Sequence, residues 1–260
     1  MMAVATGVTI FSPMTASISA NLAHIRARIA EAALRAGRAP NAVRLVAVTK
    51  TCPIEAILAA WESGQRDFGE NRPEEGAQKV GEMAERLAAE NAKPVWHMIG
   101  HVQRRKANLV IAHFDVVHAI DRLALAQKLS ALAVEAGRAL PVLLECNVSG
   151  EASKYGYAAA GWEGDSALRE RLYAEVAAVS ALPGLRLEGL MTMAPIADDA
   201  ETVRPIFASL RGLRDALREW FPDMALPHLS MGMTDDFEVA IEEGATLVRI
   251  GRAIFGPYNP

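Results

Sequence analysis

The apolar positions of this chain switch repeatedly between a helical period and a strand period. The first helical run is TASISANLAHIRARIAEAALRAG, where Leu22, Ile25, Ile29 and Ala33 recur at helical spacing and Gly37 offers a stop. RLVAVTK then predicts an opening strand over 45–50, and Pro53 starts the helix PIEAILAAWESG, closed by Gly64. RDFGEN reads as a short strand and PEEGAQKVGEMAERLAAEN as a helix despite Gly76 and Gly81. VWHMIG and FDVVHAI are strands, separated by a helix that begins near Gln103. Asp121 is placed to cap the next helix, RLALAQKLSALAVEAG. PVLLECNV, LRLEGLMTM, LPHLSMG and TLVRIG are further strands, with helices predicted over 164–181, over 199–220 and in DDFEVAIEEG, where Asp235 and Asp236 suit a cap.

Eight strand-like segments result, each followed by a helix except the last. That alternation implies parallel strands joined by helical crossovers. The expected fold is therefore α/β, a single (β/α)8 barrel of the TIM type with an extra N-terminal helix. A doubly wound open sheet is the rival, but no G-x-G-x-x-G follows the first strand and no Walker-type loop occurs. Residues 1–14 are expected to form a flexible N-terminal extension and residues 15–260 the barrel domain.

Composition narrows the function classes. With 51% hydrophobic and 22% charged residues over 260 positions, the chain can bury a large core. A net charge of −4 argues against a nucleic-acid binder. Cys52 and Cys146 read as free thiols of a reducing compartment. There is no apolar run of about 18 residues to span a membrane. The start MMAVATGVTIFSPM lacks the basic stretch of a signal peptide, so the cytoplasm is the expected location.

In a barrel, chemistry sits where the strands end. Those positions are Thr49-Lys50, Glu70-Asn71, Gly100-His101, Cys146-Asn147, Met191-Thr192-Met193, Ser230-Met231-Gly232 and Gly251-Arg252. Side chains alternate faces along a strand, so Val46, Val48 and Lys50 share one face and Leu247, Arg249 and Gly251 another. If Lys50 points inward, its stem crosses an aliphatic layer and its amine emerges at the mouth, as a Schiff-base nucleophile requires. A lone lysine at a strand end is more often a snorkelling surface residue. Ser230, Gly232 and Gly251 shift that balance, because the loops after the last two strands of a barrel commonly hold phosphate and glycine lets backbone N–H groups approach an anion. An imine-forming lysine beside a phosphate cup suggests pyridoxal 5′-phosphate.

The segments LVAVTKT, DFGENRPEEGAQK, WHMIGHVQRRK, CNVSGEASKYGY, GLMTM and LSMGMTDDFEVAIEEGATLVRIGRAIFG make the chain similar to the pyridoxal 5′-phosphate homeostasis proteins, whose fold is like the barrel domain of alanine racemases. The resemblance covers nearly all of the chain after the first ~40 residues. It implies that Lys50 holds the cofactor as a Schiff base. It also implies that Ser230, Gly251 and the backbone of Arg252 hold the phosphate, and that Arg249 faces the pyridine nitrogen. Asn71 and Asn147 fall at cofactor-facing strand ends. The family often has a small hydroxylated residue where this chain has Arg252, whose side chain either pairs with phosphate or turns to solvent. Arg104, Arg105 and Lys106 are more basic than is common in the family and read as a solvated helix end or a weak anion-binding surface.

Other polar residues carry less. His97 and His101 are four apart on strand and turn without an acidic partner at ligand spacing, which argues against zinc. His228 reads as a packed core histidine, and SGEASKYG as a polar loop at the mouth. Two functions follow from the resemblance: a non-catalytic carrier of pyridoxal phosphate that serves apo-enzymes as recipients, or an amino-acid racemase or lyase. A barrel aldolase using Lys50 without a cofactor is a third. Racemases of this type add a C-terminal β domain with a second catalytic base. The sequence ends nine residues after Gly251, so the carrier, as a monomer without catalytic turnover, is the expectation.

Overall fold

The computed structural model describes residues 13–257 apart from Asn91. The expected flexible extension lies outside the described residues as far as residue 12, while Met14 already belongs to the first helix. The strands are β1 (Arg44–Val48), β2 (Asp67–Glu70), β3 (Val95–Met98), β4 (Val116–Ile120), β5 (Leu140–Asn147), β6 (Tyr157–Ala158), β7 (Leu185–Met191), β8 (His228–Ser230) and β9 (Leu247–Ile250). The helices are α1 (Pro13–Arg35), α2 (Ile54–Glu62), α3 (Pro73–Arg86), α4 (Ala107–His113), α5 (Leu123–Glu135), α6 (Ser166–Ser180), α7 (Arg204–Trp220), α8 (Phe237–Glu242) and α9 (Arg252–Phe255).

Eight strands close into a ring in the order β4-β3-β2-β1-β9-β8-β7-β5, and a β4–β5 pairing completes it. All these pairings are parallel. The two-residue β6 adds to the end of β5, outside the ring. This is the eight-stranded barrel that the alternation predicted.

Two apolar layers form. Inside the ring, Val46, Ala119, Leu143, Met191 and Leu247 fill a small core. Outside it, Phe68, Phe114, Phe207 and Phe237 belong to a much larger layer between strands and helices. The inner set shows which strand faces point inward: Val46 on β1, Leu143 on β5 and Leu247 on β9. On β4 the register shifts between Val117 and Ile120. That bulge breaks the alternation, and both His118 and Ala119 turn into the barrel.

The extra helix α1 straps the barrel. Its buried stripe Ile18, Leu22, Ile25, Ile29, Ala32 and Ala33 repeats at three- and four-residue steps. Gly37 ends it at φ +67, where Arg38 N–H bonds back to Ala33 O at 2.8 Å. Arg28 pairs with Glu238 and Arg35 with Glu242, each at 2.9 Å, and Asn21 Nδ2 donates to Ile254 O at 2.9 Å. The helix therefore fixes both α8 and the last turn of the described chain. Among the described residues no helix is long and apolar enough to cross a membrane.

Three of the differences from the sequence reading bear on how the elements are placed. β1 ends at Val48, so Lys50 lies in the turn that follows. The helix expected over 199–220 divides into a 3-10 turn (Ala200–Val203) and α7, because the ring of Pro205 admits only a helix start. Asp121 does not cap α5; its carboxylate bonds the side chains of His101 and Arg122 instead.

Truncating Leu22 to alanine should cost about 3 kcal/mol in urea unfolding, since the fully buried stripe of α1 cannot close over the gap. Glu31→Ala on the exposed face of the same helix should stay within about 0.5 kcal/mol.

Candidate functional site

The site builds from the inward faces of β1, β8 and β9. Val46 lies in the inner core, and Thr49 continues the ladder through its N–H to Gly69 O at 3.0 Å. The Thr49 hydroxyl turns outward and donates to Glu70 Oε1 at 2.5 Å. Half-buried Lys50 follows in the turn at this end of the barrel, and the parity of β1, if carried one step on, would direct it inward. On β9, Leu247 is in the inner core and Arg249, 5% exposed, shares its face. Lys50 and Arg249 are thus brought to one end of one barrel by strands that pair directly.

Arg249 is a cation inside the protein, and both of its terminal nitrogens donate to buried oxygens. Nη1 donates to Ser230 Oγ at 2.6 Å and Nη2 to Thr192 O at 2.9 Å. Burial lowers its pKa to about 10, against which the negative charges of Asp236 and Glu145 act. It stays protonated at neutral pH and can only donate.

From Ser230 a polar chain descends through the barrel. Ser230 Oγ meets His118 Nδ1 at 2.8 Å, His118 Nε2 meets His97 Nδ1 at 2.9 Å, and His97 Nε2 meets Asp67 Oδ1 at 2.9 Å. Burial holds the His118 pKa well below its usual value, with the positive charge of neighbouring residues adding to it. With His118 neutral, one consistent direction runs along the whole chain. Arg249 donates to Ser230, whose proton then goes to His118 Nδ1; His118 donates to His97, and His97 to the Asp67 carboxylate. Each buried polar atom of the chain is satisfied by the next.

The other expected site residues fall as follows. The Ser230 hydroxyl is fully buried and committed to Arg249 and His118, below the mouth rather than on it. Gly232 has φ +95, and a Cβ there would lie 2.7 Å from Ala240 Cβ, so close packing on α8 as well as the turn requires glycine. Gly251 is buried and caps the turn α9, accepting from Ile254 and Phe255 N–H at 2.8 and 3.0 Å. The first N–H groups of that turn have no partner within it. Arg252 turns to solvent and pairs with Asp235 at 2.5 Å. Asn71 is exposed at the end of β2. Asn147 organises its own loop: Oδ1 accepts from Ser149 Oγ and Gly150 N–H, both at 3.0 Å, and Nδ2 donates to Glu151 O at 2.9 Å. In the basic run, Lys106 pairs with Glu74 and Arg105 bonds Gln103.

Three features escaped the sequence reading. His118, Asp67 and the role of His97 are invisible to local pattern, because the bulge in β4 displaces His118 from strict alternation. His101 Nδ1 bonds Asp121 Oδ2 at 2.7 Å, and its ring stacks on Tyr155 at 4.0 Å. Glu145, 6% exposed, has a pKa raised to about 7, chiefly by burial and then by Asp121, against the pull of Arg249 and Lys154.

Comparison with known proteins supplies the context for this geometry. Residues 20–259 match the family described as alanine racemase, N-terminal domain. Proteins named pyridoxal phosphate homeostasis protein are 44% identical over 241 residues in Pseudomonas aeruginosa and 41% identical over 246 residues in Escherichia coli. Each alignment covers 92% of this chain, and 95% and 96% of the respective relatives. The chain belongs to the pyridoxal phosphate homeostasis protein family. The structure of PipY from Synechococcus elongatus, solved with pyridoxal phosphate bound, is 33% identical with a TM-score of 0.75, covering 92% of this chain and all of that one. Alanine racemase from Clostridium difficile, 16% identical with a TM-score of 0.64, shares the fold; the match covers 94% of this chain and 57% of the racemase.

In this member of the family the acid Glu145 makes stability depend on pH. Its folded pKa lies above its ordinary value, so the folded state binds the extra proton between about pH 4.5 and 7 and stability falls as pH rises through that window. Glu145→Gln should match the wild type near pH 4.5 and exceed it by about 2 kcal/mol near pH 8, read by urea unfolding at each pH. A gap independent of pH would contradict the assignment.

Proposed function

We propose that this protein binds pyridoxal 5′-phosphate at the barrel mouth and keeps it in reserve for intracellular vitamin B6 and amino-acid balance, without turning over a substrate. The observation that carries the reading is that Lys50, in the turn after β1, stands at the same end of the barrel as the buried, protonated Arg249 of the adjacent β9. The donor set suits this group. Lys50 supplies an amine, Arg249 a donor for a ring nitrogen, and the turn at Gly251–Arg252 backbone N–H groups for a phosphate. Ser230 then acts by holding Arg249, and the Arg252 side chain, committed to Asp235, leaves its backbone to do the binding. When bound, the group supplies an aldehyde for the amine and a ring that can withdraw electrons.

What the chain's own residues do favours holding over transforming. Arg249 has no proton acceptor and leaves a ring nitrogen unprotonated, which weakens electron withdrawal. A carboxylate at that position would do the reverse. The relative from Synechococcus elongatus, with pyridoxal phosphate bound, and the homeostasis proteins at about 40% identity point the same way. One observation favours the rival reading, a racemase or lyase: His101 and Asp121 form a hydrogen-bonded pair where β3 and β4 reach the mouth, a candidate second proton-transfer group.

Purified protein mixed with pyridoxal 5′-phosphate should develop a visible absorbance band that Lys50→Ala lacks. An unchanged spectrum in the variant would remove Lys50 from the site. Incubation with a panel of L- and D-amino acids should give no appreciable turnover. Racemisation or elimination that requires both Lys50 and His101 would establish the enzyme instead.

A further inference from the structure

Lys79 occupies a position where the pattern of α3 calls for an apolar residue. The buried side of that helix runs Pro73, Gly76, Lys79 and Met83, and Lys79 is 9% exposed. Stability alone does not explain it, because well-packed apolar residues replace buried ion pairs at little or no cost. Its ammonium makes three hydrogen bonds: to Glu70 Oε1 at 2.9 Å, to Glu75 Oε1 at 2.6 Å and to Thr49 O at 2.6 Å. Glu75 Oε1 also accepts the Thr51 N–H at 2.6 Å, and Glu70 Oε1 accepts the Thr49 hydroxyl at 2.5 Å. Burial pushes the Glu70 carboxyl up, against the pull of Lys79. Burial also pushes Glu75 up, but the hydrogen bonds from Lys79 and Thr51 outweigh it and its pKa is lowered.

Every backbone contact of this triad falls on the residue before or the residue after Lys50. Thr51 has φ +59, the left-handed region, which a β-branched residue rarely enters. Such strain persists where the surroundings over-determine it, and it clusters at functional sites. Here the Thr49 carbonyl is pulled by Lys79 and the Thr51 amide by Glu75, so the chain must reverse between them.

We propose that Lys79, Glu75 and Glu70 form a clamp on the outer wall of the barrel that holds the strained turn at Thr51 and so aims the Lys50 amine into the mouth. These are positioning residues, and the inference rests on the reading of Lys50 given under the proposed function. The clamp works from the helix side, leaving the mouth clear for a ligand. It keeps the flexible lysine stem from sampling the outward direction open to any turn residue. The expected signature is a weaker hold on the cofactor at nearly unchanged global stability, because Glu75 lies at the helix start and is partly exposed.

The test uses the full chain and pyridoxal 5′-phosphate itself. Glu75→Ala should weaken cofactor retention at least about tenfold in an absorbance titration, the cost of a misaimed reacting group. Without cofactor, the same variant should speed exchange of the Thr51 amide hydrogen while its melting curve stays near that of the wild type. In a Thr51→Gly background the left-handed turn has no steric cost, and Glu75→Ala should then weaken retention by less than about threefold. Lys79→Met, if it folds, should behave as Glu75→Ala does; if it does not, the Glu75 series decides. Equal retention in wild type and Glu75→Ala would overturn the clamp, as would an equal loss in both backgrounds. Failure of the underlying reading looks different: the wild type would give no visible band, or Lys50→Ala would keep it, and the clamp would fall with it.

Discussion

A permanently charged guanidinium buried inside a parallel barrel is the constraint on which this structure turns. Arg249 cannot release its proton at neutral pH and cannot reach bulk water, so the barrel interior must be built around it. Two direct acceptors, Ser230 Oγ and Thr192 O, take its protons. Ser230 in turn needs an acceptor for its own proton, and the chain runs on through His118 and His97 to end on Asp67. One cation at the mouth thereby dictates polar residues on four further strands. The inner apolar core is small for the same reason: part of the barrel's volume is spent on this chain.

Closure of the barrel gives the arrangement its use. β1 and β9 are far apart in sequence, yet they pair residue for residue, with Val46 opposite Arg249. The same ladder therefore sets Arg249 and brings the turn that carries Lys50 to its end of the barrel. Outside the ring a second buried network governs the other partner. Lys79 and Glu75 grip the backbone on either side of Lys50 and Glu70 braces Lys79, as the interior chain grips Arg249. Each functional group is held from behind, on the side away from the mouth. α1 contributes from further out through Asn21, which ties down the turn that follows Arg249.

The sequence made the fold legible because parallel strands covered by helices leave short apolar runs between amphipathic ones, and all eight were distinct. Parity along β1 and β9 was legible too, since both strands alternate without interruption. What stayed hidden needed contacts between strands. His118 falls out of phase because of the bulge in β4. Lys79 sits four residues after Glu75 in α3, and only the fold shows its ammonium meeting Glu70 and the Thr49 carbonyl. Ser230 is the instructive case: a hydroxyl at a strand end looks like a ligand group, but its neighbour in space is Arg249, nineteen residues away in the chain. Asn147 likewise stands at a strand end yet spends its side chain on its own loop.

Whether Lys50 is the point of attachment is the claim on which the rest depends, and it is open to direct chemical mapping. Protein loaded with pyridoxal 5′-phosphate would be reduced with borohydride, which makes a lysine–cofactor bond permanent, and then digested and mapped by mass. The account predicts a single adduct of the reduced cofactor, on the peptide containing Lys50. An adduct on another lysine, or none in protein that has demonstrably taken up the cofactor, would contradict it.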